Sequence, residues 1–329
     1  MTTDSRHRDR RRRGTVFGVS TTDATPGQRA FISTSEGSRA QAFASRDWGM
    51  FTFCGLVWGA SFFFIAVGVD HFAPAVVAAL RLLFGSAVLA VAPSSRKKIE
   101  RADVPRFWFL GLVWMAIPFV LFPIAEQWVA SSIAGMINAG VPVFAAIVAA
   151  VLLRRLPGRR QAIGLIIGLI GVVIVTLPSL GDGPSSVLGV VLLVVAVALY
   201  GLSVNLAVPL QQKYGGLAVT LRNQLAALVI VLPLAIWGLF DSTFAWSSLA
   251  AVAALGIAGT GLALFAMTTL VGRVGATRGS AVTYTFPIVA ILLGVLFRDE
   301  KLHLIAIVGT VLVIVGAYVV SRAERTRPA

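Results

Sequence analysis

The sequence predicts an all-α membrane protein in which ten transmembrane helices form two inverted repeats of five. Of its 329 residues, 57% are hydrophobic and 13% are charged, with a mean hydropathy of +0.87, whereas about 25% of the residues of a soluble domain are charged. Apolar windows long enough to span a bilayer fill nearly all of the chain after residue 47. The two halves of this apolar region repeat the same glycine and proline positions. Because the windows do not alternate between apolar and polar residues, they exclude a membrane β-barrel.

Residues 1–47 form a polar segment that is rich in Ser, Thr and Arg and contains the run RHRDRRRR. No apolar stretch follows these arginines before residue 48, so the segment does not have the pattern of a cleaved secretory signal. Its composition supplies no hydrophobic core, and we expect a disordered cytoplasmic tail. Contact between the arginine cluster and anionic lipid is the alternative.

Ten apolar segments follow, joined by short connections that hold Pro, Gly, Ser and charged residues. Their length and low charge are typical of membrane-spanning helices. The predicted spans are 49–68, 74–92, 106–124, 130–153, 160–177, 187–208, 216–238, 249–270, 277–297 and 302–320.

The basic residues predict how these helices are oriented. With a cytoplasmic N-terminus, the 28 Lys and Arg fall in the tails and inner loops, apart from two outside and two within spans. Arg298 and Lys301 are the outer pair, and Arg81 and Arg222 are intramembrane. Because basic loops face the cytoplasm, both termini, including the tail 322–329, are predicted to be cytoplasmic. The net charge of +14 therefore indicates inner loops rather than a nucleic-acid partner.

An internal repeat relates residues 137–175 (INAGVPVFAAIVAAVLLRRLPGRRQAIGLIIGLIGVVIV) to residues 284–320 (YTFPIVAILLGVLFRDEKLHLIAIVGTVLVIVGAYVV). Proline and glycine in register are less easily matched by chance than apolar residues. One constant shift pairs Gly111 with Gly256, Pro142 with Pro287, Gly164 with Gly309, and Gly171 with Gly316.

Five helices in each repeat mean that the second copy enters the membrane from the opposite face. A charge reversal supports this inversion, because Arg154 and Arg155 on the inner side align with Asp299 and Glu300 on the outer side. Inverted repeats are an architecture of secondary transporters, in which a site at the middle of the membrane opens alternately to each side.

Three segments resemble the drug/metabolite transporter superfamily, specifically proteins with two EamA domains. They are WGASFFFIAVGVDHFAPAVVAALR (58–81), AEQWVASSIAGMINAGVPVF (125–144) and GRVGATRGSAVTYTFPIVAILLGVLFRDEKLHLIAIVGTVLVIVGAYVV (272–320). The resemblance covers about 48–321 and implies EamA repeats at 48–178 and 185–321.

The resemblance implies a carrier that exports a small metabolite, an amino acid or a related amphipathic compound, or a drug. One departure concerns a loop: the first copy has LRRLP where the family usually has an acidic residue, whereas the second has RDEKL. This loop is expected to lie far from a central site, so the departure bears on packing rather than on activity.

Arg81 and Arg222 occupy similar depths from opposite membrane faces. Arg81 follows Pro74 by two helical turns, about 10 Å along the helix. An Arg at the bilayer centre costs about 2.5–3.5 kcal/mol on insertion scales, but at this depth its long side chain reaches the headgroups. Two interpretations stay open: a structural Arg that binds carbonyls or lipid headgroups, and a cavity-facing charge that attracts a carboxylate.

The sequence places no Asp or Glu deep within a predicted span, which argues against proton coupling through a buried carboxylate. Glu126 is the best remaining candidate, and at the outer end of the third span we expect it to be solvated. His71 and His303 lie at helix boundaries, Cys54 is a lone thiol suited to packing, and no metal-ligand spacing occurs.

Aromatic and amide side chains are the predicted lining of a central substrate site. An Asn beside a proline break is suited to binding a polar ligand, because the break frees a backbone carbonyl. For each residue the alternative is hydrogen bonding between helices or placement at the membrane interface. Together with Arg81 and Arg222, the candidates are Trp58, Phe62, Asn138, Pro142, Tyr200, Asn205, Tyr284 and Pro287.

Small residues on the fifth and tenth spans indicate close helix packing or a homodimer contact, not chemistry. They are Gly164, Gly168, Gly171, Gly309 and Gly316.

The sequence therefore predicts a non-enzymatic secondary transporter in the cell membrane, with a small-molecule substrate, the bilayer as its partner, and no cofactor or metal. It lacks a Gly-Lys-Ser/Thr phosphate loop and a GxSxG motif. Two alternatives stay open: a nucleotide-sugar or phosphate-ester exchanger, which would need more paired Lys and Arg within its spans, and a non-transporting receptor, scaffold or lipid enzyme.

Overall fold

The computed structural model describes residues 44–152, 158–180, 183–274, 279 and 281–321. These residues form helices joined by short turns, and they contain no β-strand. In the first half of the chain the helices are α1 (Ser45–Val69), α2 (Pro74–Ala90), α3 (Val104–Leu110), α4 (Ile117–Ala125), α5 (Ser131–Asn138), α6 (Val141–Leu152) and α7 (Arg159–Leu180).

The second half follows the same general order. Short 3₁₀ turns at Leu239–Asp241 and Ala281–Thr285 lead out of one helix and into another. The helices are α8 (Pro184–Tyr214), α9 (Gly216–Gly238), α10 (Trp246–Ala254), α11 (Leu264–Val274), α12 (Phe286–Arg298) and α13 (Leu304–Ser321).

Six helical stretches among the described residues are long and apolar enough to cross a membrane, by length and composition. They are Ser45–Val69, Arg101–Ala125, Ser131–Leu152, Ser186–Tyr214, Gly216–Asp241 and Trp246–Val271. Shorter apolar helices coincide with the remaining predicted spans, at Pro74–Ala90, Ala162–Pro178, Val282–Arg298 and Leu304–Gly316. The structure thus agrees with a polytopic helical membrane protein, while the number of spans stays a prediction.

Many large apolar side chains point away from the protein interior. Leu56 on α1, Ile166 on α7, and Val229 and Leu234 on α9 are each more than half exposed. A soluble monomer rarely exposes so much contiguous apolar surface. The outer surface is therefore suited to contact with lipid.

Two π-helical segments interrupt long helices at related places in the two halves. One, Gly111–Ala116, joins α3 to α4, and the other, Leu255–Ala263, joins α10 to α11. They contain the aligned glycines Gly111 and Gly256. A π-helical turn shifts the hydrogen-bond register of a helix and is often found at functional sites.

The N-terminus of α5 is capped by a carboxylate from the second half of the chain. Glu300 accepts hydrogen bonds from the backbone N–H groups of Ser131 and Ser132, each at 2.9 Å, and from the Ser131 hydroxyl at 2.6 Å. A carboxylate at a helix N-terminus satisfies amides that have no partner within the helix. The acidic loop after α12 therefore stabilises α5.

Helices α7 and α13 pack against each other through glycines. A Cβ atom added at Gly171 would lie 2.5 Å from the Val313 nitrogen, and one at Gly309 would lie 2.6 Å from the Val175 nitrogen. These distances are shorter than van der Waals contact allows. The predicted role of the glycines in close helix packing is confirmed for this helix pair.

Ion pairs hold both ends of α1 to the second half of the chain. At its start, Asp47 pairs with Arg273 of α11 at 2.8 Å. At its other end, Asp70 pairs with Arg298 of α12 at 2.9 Å. The side chain of Asp47 is 4% exposed, whereas that of Asp70 is 44% exposed.

Several predicted features lie outside the described residues. They are most of the predicted tail 1–47, the loop residues Arg154 and Arg155, and the tail 322–329.

Candidate functional site

A cavity lies between the two halves of the chain, with an empty volume of about 740 Å³ that includes open space at its mouth. Ligand pockets have volumes of roughly 300–1,000 Å³, so this cavity has room for a small metabolite. Five of the predicted residues line it: Trp58, Phe62, Arg81, Asn138 and Tyr200.

Aromatic rings form much of the cavity wall. Phe62 contacts Phe122 and Phe286, with ring centroids 5.7 and 6.3 Å apart. Phe122 stacks on Tyr200 at 5.8 Å, and Trp58 meets Phe286 edge to face at 6.0 Å. Aromatic pairs of this kind stabilise a rigid wall. The wall contains side chains from both halves of the chain.

The second π-helical segment supplies hydrogen-bond acceptors to the cavity wall. Trp58 Nε1 donates to the Gly259 carbonyl at 2.8 Å, and Arg81 Nε donates to Thr260 Oγ1 at 3.0 Å. Gln224 Nε2 donates to the Thr260 carbonyl. The irregular backbone at this point therefore fixes the indole and the guanidinium that face the cavity.

Arg81 is 5% exposed, and its guanidinium carbon lies 3.7 Å from the centroid of the Phe119 ring. A cation over an aromatic face is stabilised by the ring quadrupole. Arg81 therefore lies inside the protein beside the cavity, and its Nε donates to a side-chain hydroxyl rather than to a backbone carbonyl.

Asn138 ends α5, and Ala139 and Gly140 separate this helix from α6, whose second residue is Pro142. Asn138 is 6% exposed, and its Oδ1 has no hydrogen-bond partner among the described residues. A buried acceptor without a partner is costly. This amide oxygen therefore has unused hydrogen-bonding capacity, at a residue that lines the cavity.

The other predicted residues lie away from the cavity lining. Asn205 Nδ2 donates to the Ala145 and Gly201 carbonyls, both at 2.9 Å, and so links α8 to α6. Tyr284 packs against the apolar cluster of Val143, Ala146 and Leu165. The remaining three, Pro142, Arg222 and Pro287, are also outside the lining.

Sequence reasoning missed much of the lining. On α1, Ser61 and Ile65 share the helical face of Trp58 and Phe62, so the 3.6-residue period could have found them. Residues in the π-helical segments gave no such signal, because the local register changes there. The other residues missed are Trp114, Phe119, Phe122, Val141, Val204, Gly259, Leu264, Met267, Thr283 and Phe286.

Glu126, just beyond α4, differs from the expected solvated helix end. It is 9% exposed, and neither carboxylate oxygen has a hydrogen-bond partner among the described residues. Burial, reinforced by the charge of Glu300, raises the pKa of Glu126 well above its usual range, against the opposing charges of Arg81 and Arg298. The difference arises because this helix end is enclosed within the protein and does not face water.

The fold and the cavity define an integral membrane protein with an internal space for a small solute. The chain belongs to the EamA-like transporter family, whose pattern matches residues 48–177 and again residues 187–322. It is thus a membrane transporter, and the family is the one that its sequence resembled.

Several curated relatives align with this chain over most of their own length. An uncharacterized transporter of Archaeoglobus fulgidus is 24% identical over 265 residues, covering 80% of this chain and 95% of the relative. A probable terminal-alkyne amino-acid exporter of Streptantibioticus cattleyicolor is 27% identical over 272 residues, covering 81% and 90%. YedA, an uncharacterized inner membrane transporter of Escherichia coli, is 26% identical over 292 residues, covering 80% and 89%.

One solved crystal structure has a TM-score of 0.61 to this chain, at 17% identity, and covers 84% of this chain and 96% of that one. At this identity the similarity shows a shared fold and nothing of the substrate.

Proposed function

We propose that this protein is a secondary transporter that exports a small metabolite across the cell membrane by alternating access. The substrate classes are an amino acid, a related amphipathic compound, or a drug. The observation that carries the proposal is the cavity itself, whose lining comes from both family matches. The name of the Streptantibioticus relative, a probable amino-acid exporter, supports the direction and the substrate class.

Features that recur in both halves support the proposal of two inverted repeats. Each half has a π-helical segment, Gly111–Ala116 or Leu255–Ala263. Each also has irregular backbone just before a proline: the turn at 139–140 precedes Pro142, and the 3₁₀ turn Ala281–Thr285 precedes Pro287. Halves of similar structure give two end states of similar free energy, which alternating access requires. In this proposal both termini are cytoplasmic.

The alternative functions have less support. A nucleotide-sugar or phosphate-ester exchanger needs several cations for its phosphates, and among the described lining residues Arg81 is the one charged side chain. A receptor or scaffold would not need a lining shared between two repeats.

The proposal is tested by counterflow in liposomes. Purified protein should exchange labelled metabolites, starting with amino acids, against an internal pool of the same compound. Val204 lines the cavity, whereas Val229 is 57% exposed on the lipid-facing side of α9. Val204→Trp should abolish counterflow by filling the cavity, and the matched control Val229→Trp should retain it.

Both variants are first checked for a monodisperse elution profile. Absence of counterflow across a broad metabolite panel, or equal activity of the two tryptophan variants, would contradict transport through this cavity.

A further inference from the structure

Only some groups of the Arg81 guanidinium contact other side chains. Nε donates to Thr260, and one face lies on the Phe119 ring. The two terminal nitrogens have no hydrogen-bond partner among the described residues, and they are not among the fully buried atoms without a partner. Because Arg81 lines the cavity, these terminal donors border its open space.

Among the residues that the structure describes, this buried cation has no ion-pair partner. Guanidinium carries five N–H donors, and an unpaired charge inside a protein is strongly disfavoured unless an anion or polar groups compensate it. Phe119 and Thr260 hold the group in place but bring no negative charge. The cavity is therefore built to receive an anion.

Glu126 is the carboxylate best placed to neutralise Arg81 from within the protein. Phe119 and Phe122 of α4 and Glu126, the residue just beyond its end, are spaced three and four residues apart, so Glu126 follows Phe119 by about 10 Å along the helix axis. No hydrogen bond or ion pair joins it to Arg81 among the described contacts. Arg81 is thus left available to a ligand.

We propose that Arg81 is the carboxylate-binding residue of the transport site, so that the substrate is a monocarboxylate with an apolar body. This inference rests on the transport function proposed for the cavity. The terminal guanidinium nitrogens match the two oxygens of a carboxylate in a bidentate arrangement. The aromatic walls formed by Phe62, Phe122 and Phe286 accept the apolar part of the same molecule.

The protonation of Glu126 sets the strength of this site. When Glu126 is neutral, it does not offset the positive charge of Arg81, and the full charge attracts the substrate carboxylate. When Glu126 is ionised, it partly offsets that charge and weakens the attraction. Glu300 and Arg298 act on Glu126 from the end of α12, and Arg81 acts on it from α2. Arg298 is itself paired with Asp70. Substrate binding should therefore weaken as pH rises and Glu126 loses its proton.

Matched ligands test the carboxylate requirement on the wild-type protein. Binding to purified protein in detergent is measured by calorimetry for two pairs: phenylalanine with phenylalaninamide, and phenylpropionate with phenethylamine. The carboxylate member of each pair should bind at least about tenfold more tightly, the change expected when a charge-assisted hydrogen bond is lost. Equal affinity within the pairs, or no binding by any of the four at millimolar concentration, would overturn the proposal.

Variants then locate the carboxylate site. Arg81→Gln should remove the preference for carboxylates, and Arg81→Lys should restore part of it. Glu126→Gln should keep the preference and lose the pH dependence of affinity, whereas the exposed control Asp241→Asn should behave as wild type. An unchanged preference in Arg81→Gln would exclude Arg81 as the site, and an unchanged pH dependence in Glu126→Gln would exclude Glu126.

Binding and counterflow distinguish the two proposals. Selective binding of carboxylates without counterflow would contradict the transport function and keep the site, whereas counterflow that ignores the carboxylate would do the reverse.

Discussion

The carboxylate of Glu126 is enclosed at the end of α4, beside the capped N-terminus of α5. Glu300 occupies the backbone donors of Ser131 and Ser132 that a second carboxylate would otherwise use. An ionised group in this place would have neither water nor hydrogen bonds, so the neutral acid is favoured. This one side chain therefore makes the free energy of unfolding depend on pH.

Replacing Glu126 by Gln should reduce that dependence. The pKa of this carboxyl is raised from 4.5 in the folded protein, so above about pH 4.5 the unfolded chain releases a proton that the folded protein retains. The stabilising contribution of the buried neutral carboxyl group is therefore fully present below pH 4.5. It is lost as pH rises through the folded pKa. Thermal unfolding in detergent should give Glu126→Gln a midpoint that increasingly exceeds the wild-type midpoint as pH rises.

The control for this measurement is Asp241→Asn, which alters an exposed carboxylate. A difference between Glu126→Gln and wild type that is constant from pH 4 to pH 9 would mean that Glu126 does not titrate differently in the folded state.

Helices α7 and α13 form a pair whose separation is set by glycine. Replacing Gly171 by Ala puts a Cβ 2.5 Å from the Val313 nitrogen and 2.8 Å from the Gly309 carbonyl oxygen. Backbone atoms cannot move aside as a side chain can, so the helices must separate. Overpacking of this kind costs about 1–3 kcal/mol, and the midpoint of thermal unfolding should fall.

Gly49→Ala on α1 is the matched control, because nothing lies within 4 Å of its added Cβ. Ala is a better helix former than Gly by about 1 kcal/mol, so this variant should be equal to wild type or more stable. Equal unfolding midpoints for the two variants would show that α7 and α13 are not in close contact.

The elements were largely predictable from the sequence because long apolar runs and flanking prolines depend on local chemistry. The start of α2 at Pro74 agrees with the first residue of the predicted span. The sequence did not reveal the interruption at Leu255–Ala263, because a π-helical turn depends on tertiary contacts such as the one between Gly256 and Phe84. The same limit applies to Arg81: its place within an apolar helix was predictable, but its contact with Phe119 was not.

At the scale of the whole molecule, the proposed inversion requires that the loops after α6 and α12 face opposite sides of the membrane. Cys54, the one cysteine of the chain, is 0% exposed. Labelling by a maleimide should therefore report an introduced cysteine alone. Arg159→Cys and Lys301→Cys replace exposed residues near these loops. A membrane-impermeant maleimide should label Lys301→Cys on intact cells and Arg159→Cys only after permeabilisation.

Wild-type protein should stay unlabelled in both conditions. Labelling of both variants from the same side would rule out the inverted arrangement while leaving family membership unaffected.

The ion pairs at the two ends of α1 differ in burial, so the two ends differ in how much free energy is lost when the pair is broken. A solvent-exposed pair such as Asp70–Arg298 contributes about 0–1 kcal/mol. Removing the partner of a buried carboxylate such as Asp47 costs about 3–5 kcal/mol. The helix is 25 residues long, or roughly 37 Å, so its two ends are far apart. We therefore expect the end of α1 at Asp70 to separate from the second half more readily than the end at Asp47.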